Sequence, residues 1–408
     1  MKSGSVGLWL GSACLAVNLG CRPAESETPA NKSDGGRGSA TASPGGTNSG
    51  GRGGSAGFTP STPTWGLEAR PTGQTCKPPA SRTAAATLLS QTGCVDPLNP
   101  KEPAPTLIPY TVASPLWSDN AVKRRFVALP DSGKIRVKDC TLTPALCGPA
   151  ASGGTYESEG YLELPDGSVL VKTFEVGGKM VETRLLVRVN KDNWWGYSYQ
   201  WNDAQTDAML LDSNTDGYEK TVAGPNGDQT WHFPSRQQCL QCHTAAAGVS
   251  LGLELAQLNV DFKYPNGATS NQVATWERIG IFEVTPRQVT PYPAPSDGAQ
   301  PLETRARSYL HANCANCHRA GTAAPDFVAT FETSLKDMQI CNVAPQKGDL
   351  GVAGAMRLLP GSPEKSVLSL RMHALGAMTR MPQIGTRVVD PVGVDVVDAW
   401  IRSVAACP

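Results

Sequence analysis

Between residues 66 and 230 apolar and polar residues alternate with a period of two, the pattern of strands with one buried face. "KRRFVALPDSGKIRVKDC" (123–140) predicts strand, turn and strand. "GYLELPDGSVLVKTFEV" (160–176) predicts a hairpin about Pro165-Asp166-Gly167, and "KMVETRLLVRVNKD" (179–192) a further strand. From about residue 231 the period changes. "LETRARSYLHANC" sets Ala306, Tyr309, Leu310 and Asn313 on one helical face, giving a helix over 302–313. "VGVDVVDAWIRSV" does the same with Val396, Val397, Trp400 and Val404, a helix over 393–404, and "SNQVATWERIGIF" predicts a third, short helix. The expected fold is multidomain: a β-sandwich-like domain over 66–230, then a mainly α region divided into 231–300 and 301–408.

The segment before residue 66 follows neither period. Arg22 to Thr64 holds one large apolar side chain, Phe58, among Gly, Ser, Thr, Pro, Ala and Asn. Such a stretch buries too little to offset ordering, so 21–65 is expected to be a flexible tether, spanning roughly 35 Å as a Gly-rich coil. Residues 1–20 carry a basic start and a short apolar run rich in Gly and Ser, expected to be a cleaved export signal. "NLGC" resembles a lipobox, although Asn18 stands where Leu is usual, and makes Cys21 the expected lipidation site. The expected location is the cell envelope, outer membrane or periplasm, with membrane contact only through that anchor.

Composition narrows the classes. The 408-residue chain has 36 basic and 36 acidic residues, which removes the electrostatic case for a nucleic-acid partner. Twelve cysteines divide unevenly. Cys14 leaves with the signal, Cys21 takes lipid, and four belong to two CxxCH groups. The remaining six suggest three disulfides in an oxidising compartment. Proximity pairs Cys76 with Cys94 and Cys140 with Cys147, leaving Cys341 with Cys407, a loop worth about 4 kcal/mol.

"CLQCH" supplies Cys239, Cys242 and His243; "HANCANCH" supplies Cys314, Cys317 and His318. Zinc ribbons place their two knuckles about 15–20 residues apart, whereas 71 residues separate Cys242 from Cys314 here, and zinc requires no His after each pair. A thioredoxin-type pair follows a strand, while "SYLHANCANCH" ends a helix. Covalent haem c requires this spacing: two thiols add to vinyl groups on adjacent pyrroles, and the next His ligates the iron. Two covalent haems c are therefore expected, held by Cys239 and Cys242 with His243 and by Cys314 and Cys317 with His318.

The distal ligands follow less directly. Residues 302–408 resemble the plan of small single-haem cytochromes: helix, CxxCH, a Met tens of residues later, closing helix. Met381 in "TRMPQIG" stands 63 residues after His318 and is the expected distal ligand of the second haem, with Met378 and Met372 as competitors. Between His243 and His311 there is neither Met nor His. His311 or His232 is the expected sixth ligand of the first haem, with His373, a Met or an open position as alternatives, and a surface or hydrogen-bonded role as the competing reading for each His.

Two further stretches stand out. "WWGYSYQW" (194–201) reads as strand packing, with a sugar platform as the alternative. "DSNTDG" offers Asp212, Asn214 and Asp216 as calcium ligands, but Ala223 stands where an EF-hand loop closes with Glu, so a polar turn is the competing reading.

"PYTVASPLWSDNAVKRRFVALP", "VLVKTF", "WWGYSYQWNDAQTDAML", "FPSRQQCLQCH", "LNVDFKYPNG", "YLHANCANCH" and "MPQIGT" together resemble a family of largely uncharacterised exported bacterial dihaem c-type cytochromes, over about residues 100 to 405. The resemblance implies a β-rich module joined to a two-haem region and electron transfer between redox protein partners. It carries over the six CxxCH residues and strengthens Met381. The rival expectation is a dihaem enzyme, peroxidase-like or a dehydrogenase, with one open-site haem and one relay haem; a β domain that captures polysaccharide is a third. Nothing in the pattern speaks to oligomeric state.

Overall fold

Twelve strands and six α-helices order the chain among the described residues, which are 65–140, 160–212 and 216–408 of a computed structural model. These residues lie in one compact unit, Ser61–Pro408. The export signal, the tether and Cys21 lie outside the described residues.

The β-rich half contains β1 (Ile108–Tyr110), β2 (Val122–Ala128), β3 (Arg136–Val137), β4 (Leu162–Glu163), β5 (Val169–Val176), β6 (Lys179–Asn190), β7 (Asn193–Trp201), β8 (Ala208–Leu210), β9 (Tyr218–Gly224) and β10 (Gly227–Phe233). Six of them form one antiparallel sheet in the order β1-β2-β5-β6-β7-β8, and β3/β4 and β9/β10 form separate ribbons. Two predicted turns pair differently from expectation. β3 pairs with β4, not β2, and β5 pairs with β2 and β6, not β4. The turn at Pro165 exists, with the Ser168 N–H bonded to its carbonyl, but it leads the chain from ribbon to sheet. The tight hairpin lies one step later, at Gly177 and Gly178, both at positive φ as a primed turn demands.

Alternation sends side chains to two cores. Phe126, Val171, Leu185, Tyr197, Tyr199 and Trp201 pack under the 76–107 segment, stapled by Cys76–Cys94. "WWGYSYQW" thus has the packing role expected of it: the Tyr197 and Tyr199 hydroxyls donate to the carbonyls of Arg82 and Ala86. On the opposite face Leu170 and Leu186 share a core with Leu253, Leu255, Leu258, Trp276, Ile279 and Phe282, so the segment expected as a first haem module packs directly on the sheet.

The helices are α1 (Arg236–Cys242), α2 (Leu255–Leu258), α3 (Gln272–Arg278), α4 (Leu302–Asn313), α5 (Val367–His373) and α6 (Pro391–Ser403), with a ribbon of β11 (Asp261–Lys263) and β12 (Thr269–Asn271) before α3. α4 has the predicted limits. α6 starts two residues earlier than predicted, because Pro391 opens its first turn and the Asp390 side chain caps it. Ala306, Tyr309 and Leu310 of α4 pack against Val396, Val397, Trp400 and Ile401 of α6. Gly393 permits the approach, since a Cβ there would lie 2.1 Å from the Tyr309 ring. Cys341–Cys407 ties α6 back, as expected. Cys140 is also disulfide-bonded, while its expected partner Cys147 lies outside the described residues. Among the described residues no helix is long and apolar enough to cross a membrane.

Candidate cofactor site

The two CxxCH groups are carried by unlike local structures. Cys239 and Cys242 lie on α1, a two-turn helix started by a capping box in which Ser235 and Gln238 bond each other's backbone N–H. His243 follows as its C-cap. Cys314 caps the C-terminus of α4, and Cys317 and His318 follow in a tight turn with N–H bonds to the Cys314 carbonyl. Distant in sequence, both groups open into one cavity of about 990 Å³, at the upper end of ordinary ligand pockets. The Cys242 and Cys317 thiols hydrogen-bond each other, so the groups touch. That bond raises the Cys242 pKa and lowers that of Cys317, while burial pushes the Cys314 thiol up to about 12.

Both histidines present one nitrogen to the cavity side of the pair. His243 Nδ1 lies 2.5 Å from the Val249 carbonyl oxygen, so the ring proton resides there and Nε2 keeps its lone pair. Burial, with Lys172 nearby, lowers its pKa to about 4 and keeps the ring neutral. His318 stacks on Phe327 at 4.0 Å, and its Nδ1 faces Asp326 Oδ1 at 3.4 Å. Burial lowers its pKa as well, against the opposing pull of Asp326. A carbonyl or carboxylate behind Nδ1 is the arrangement that orients an imidazole to bind metal through Nε2.

Met381 lines the cavity, half-buried, with its N–H bonded to the Arg371 carbonyl at 2.9 Å. The Arg380 guanidinium spans the same loop, donating to the carbonyls of Leu375 and Gln383. Met378 and Met372 also reach the cavity, but Met378 is 83% exposed and Met372 is packed in the α4–α6 core. His232 lines the cavity; its Nε2 bonds Gln238 Oε1 at 3.0 Å, and its buried Nδ1 has no hydrogen-bond partner. His311 is placed elsewhere. Its Nε2 donates to Glu254 at 2.9 Å, its Nδ1 accepts the Phe331 N–H at 3.0 Å, and it lines a separate, smaller pocket. Expected as a candidate sixth ligand of the first haem, His311 instead meets a carboxylate of the 231–300 segment. His373 is engaged with Asp398 at 3.0 Å. Asp212 and Asp216 flank Asn214, which lies outside the described residues; among those described, no three His, Cys, Asp or Glu side chains converge to hold a metal ion.

Several residues that hold the site together have no sequence signature. Arg319, directly after the second CxxCH, is buried and donates to Ala315 O, Ala246 O and Tyr161 Oη, clamping both CxxCH segments to the β-rich half. The 114–120 segment does the same at the other end. Trp117 N–H donates to Asn313 Oδ1, beside Cys314, and its indole N–H to the Val388 carbonyl. Asp119 Oδ1 accepts the Val388 N–H at 2.8 Å. Its φ of 44° explains why the short polar pair Asp119-Asn120 is placed there.

Asp119 gives a pH-dependent prediction. Burial raises its pKa from 3.8 to about 6, against opposing backbone hydrogen bonds. A carboxyl raised on folding stabilises the fold below its unfolded pKa, and this is lost as pH rises through the folded value. At neutral pH the buried charge is a net cost. Asp119→Asn keeps an acceptor for Val388 and tolerates the positive φ, so it should raise stability at pH 7 by about 1–3 kcal/mol. Urea midpoints measured against pH should show that gain vanishing as pH falls from about 6 to about 4; a gain that persists at acid pH would exclude this cause.

Compared with family models, with curated proteins and with solved structures, the chain finds no match.

Proposed function

We propose that the chain is an extracytoplasmic dihaem c-type cytochrome, lipid-anchored at Cys21, that passes single electrons between redox protein partners. The observation that carries this reading is the single cavity into which two CxxCH groups open, with the His243 Nδ1 bonded to a carbonyl and the His318 Nδ1 3.4 Å from a carboxylate oxygen. The donor set fits two covalent haems, which when bound supply iron centres that cycle between ferric and ferrous states. Cys239, Cys242, Cys314 and Cys317 would anchor the rings, and His243 and His318 would ligate through Nε2. Met381, the cavity-lining Met on an anchored loop, is the distal residue of the second site. His232 is favoured over His311 for the first, since it lines the cavity and its Nδ1 makes no hydrogen bond, with Glu219 Oε1 3.8 Å away, whereas both His311 nitrogens are engaged. The contact between Cys242 and Cys317 supports electron exchange between the two centres. Residues 301–408 take the plan of a small single-haem cytochrome. The β-rich half, one six-stranded sheet covered on both faces by other segments where two facing sheets were expected, serves as the docking module.

Counting haem per chain and adding carbon monoxide to the dithionite-reduced protein tests this. Two haems and an unchanged spectrum are expected. Two haems of which one binds carbon monoxide would favour the enzyme alternative, with an open catalytic haem beside a relay haem. Absence of covalent haem would sink both.

A further inference from the structure

One row of the sheet carries charge where its neighbours are apolar. Arg125 of β2 stands opposite Lys172 of β5, and Lys172 opposite Arg184 of β6. The row two residues away along β5 and β6 pairs Leu170 with Leu186 on the same face. Lys123, two residues before Arg125, adds a fourth cation to that face. Like charges directly opposite one another across strands destabilise a sheet. Lys123, Lys172 and Arg184 line the large cavity, and Lys172 also borders the smaller pocket with Arg125.

The cluster is short of counter-charge. Glu182 pairs with Arg184 and already accepts from Ser198 and the Trp231 indole. Lys123 donates only to the Ala121 carbonyl, with Asp119 and Asp390 in its vicinity. Among the described residues the Lys172 side chain has neither a hydrogen bond nor an ion pair; Arg125, Arg184, Lys123 and His243 lie around it, and Glu254, His311 and Tyr161 line the smaller pocket with it. Burial and those cations bring its pKa down to about 7. A half-buried row of cations that shares the one carboxylate of Glu182, beside a ligand cavity, is costly unless an anion enters with the ligand.

We infer that the Lys123–Lys172–Arg184 face is a carboxylate-binding site, which neutralises carboxylate groups carried into the cavity beside His243. Two sources share this chemistry: the propionates of a bound haem, and the carboxylate of a small soluble molecule. The first source rests on the dihaem reading. A planar guanidinium held by Glu182 and stacked 4.4 Å over Phe174 gives a fixed donor, and the two lysines give adjustable ones.

The test uses the full haem-loaded chain, with haem counted in every sample. Lys172→Met removes the charge at similar length, and Lys172→Arg restores it. Lys123→Met is a second neutral variant should the first not accumulate. Each haem's midpoint potential is followed against pH at fixed ionic strength, with and without acetate as the probe. For propionates, two haems should remain and Lys172→Met should lower one potential, since a ferric iron gains when a nearby cation is lost. The pH at which that potential turns pH-dependent should rise, Lys172→Arg should restore both, and acetate should be inert. For a soluble carboxylate, acetate should shift the wild-type potential saturably, and Lys172→Met should abolish the response. Two haems with unchanged potentials and no acetate response in any variant would overturn the inference and leave the dihaem reading standing. A chain without haem would sink that reading by itself. Acetate calorimetry on the wild type and Lys172→Met would then decide the inference: binding lost in the variant supports it, and no binding overturns it.

Discussion

On the proposed dihaem reading, replacing Met381 by alanine should lower the midpoint potential of one haem on the order of tenths of a volt and leave the other nearly unchanged. A thioether distal ligand stabilises the ferrous state relative to a nitrogen or water ligand, and axial ligation spans about 0.8 V across haem proteins. Three methionines reach the cavity, but they differ in how they are held. Met372 belongs to the α4–α6 core, where truncation would act on stability before it acted on iron. Met378 is almost fully exposed. Met381 is fixed through its own N–H to Arg371 and through the neighbouring Arg380 guanidinium. Potentiometric titration of wild type, Met381→Ala and Met378→Ala separates them: only the first should move a potential. A drop on Met378→Ala with Met381→Ala silent would transfer the distal role to Met378.

Glu182→Ala should destabilise the protein by about 2–3 kcal/mol, because it removes a fully buried carboxylate from a pair whose arginine is half-buried. Glu182 is fully buried and binds Arg184 through two hydrogen bonds of 2.7 Å, and it also accepts from Ser198 and the Trp231 indole. Its loss leaves the Arg184 guanidinium opposite the Lys172 ammonium with no anion, and the Trp231 N–H and Ser198 hydroxyl without acceptors. Glu182→Gln keeps most of the hydrogen bonds and should cost less. The double variant Glu182→Ala, Arg184→Met removes both charges and should recover most of the loss, because neutral replacement of a buried pair is close to neutral in stability. Urea unfolding of the three variants measures this. A double variant no more stable than Glu182→Ala would show that the hydrogen bonds, not the unpaired charge, set the cost.

How much of this was legible in the chain depended on whether the signal was local. Helix α4 could be read to the residue because Ala306, Tyr309, Leu310 and Asn313 repeat on one face and Cys314 ends it. The disulfides Cys76–Cys94 and Cys341–Cys407 followed from an even remainder of cysteines paired by sequence proximity. Strand pairing did not follow, because a turn such as Pro165-Asp166-Gly167 specifies a change of direction and not the partner. β3 and β4 found each other across a gap of more than twenty residues. Alternation by itself puts Lys172 and Arg184 only on the face opposite Val171 and Leu185. Both are half-buried, because residues from the helical half cover part of that face.

The sequence by itself determined the two CxxCH groups, each with its thiols and the following His within five consecutive residues, and it is this spacing that motivates the proposed haem chemistry. It also determined the two periodicities and therefore a β-rich half followed by a helical one. Only the tertiary structure decided that the two groups share one cavity, that His311 meets Glu254 while His232 faces the cavity, and that a row of cations stands beside His243. The physical reason is range. Bond-forming spacing and helical period are fixed within a few residues, whereas a buried charge or a free imidazole nitrogen is defined by whatever distant segment folds against it.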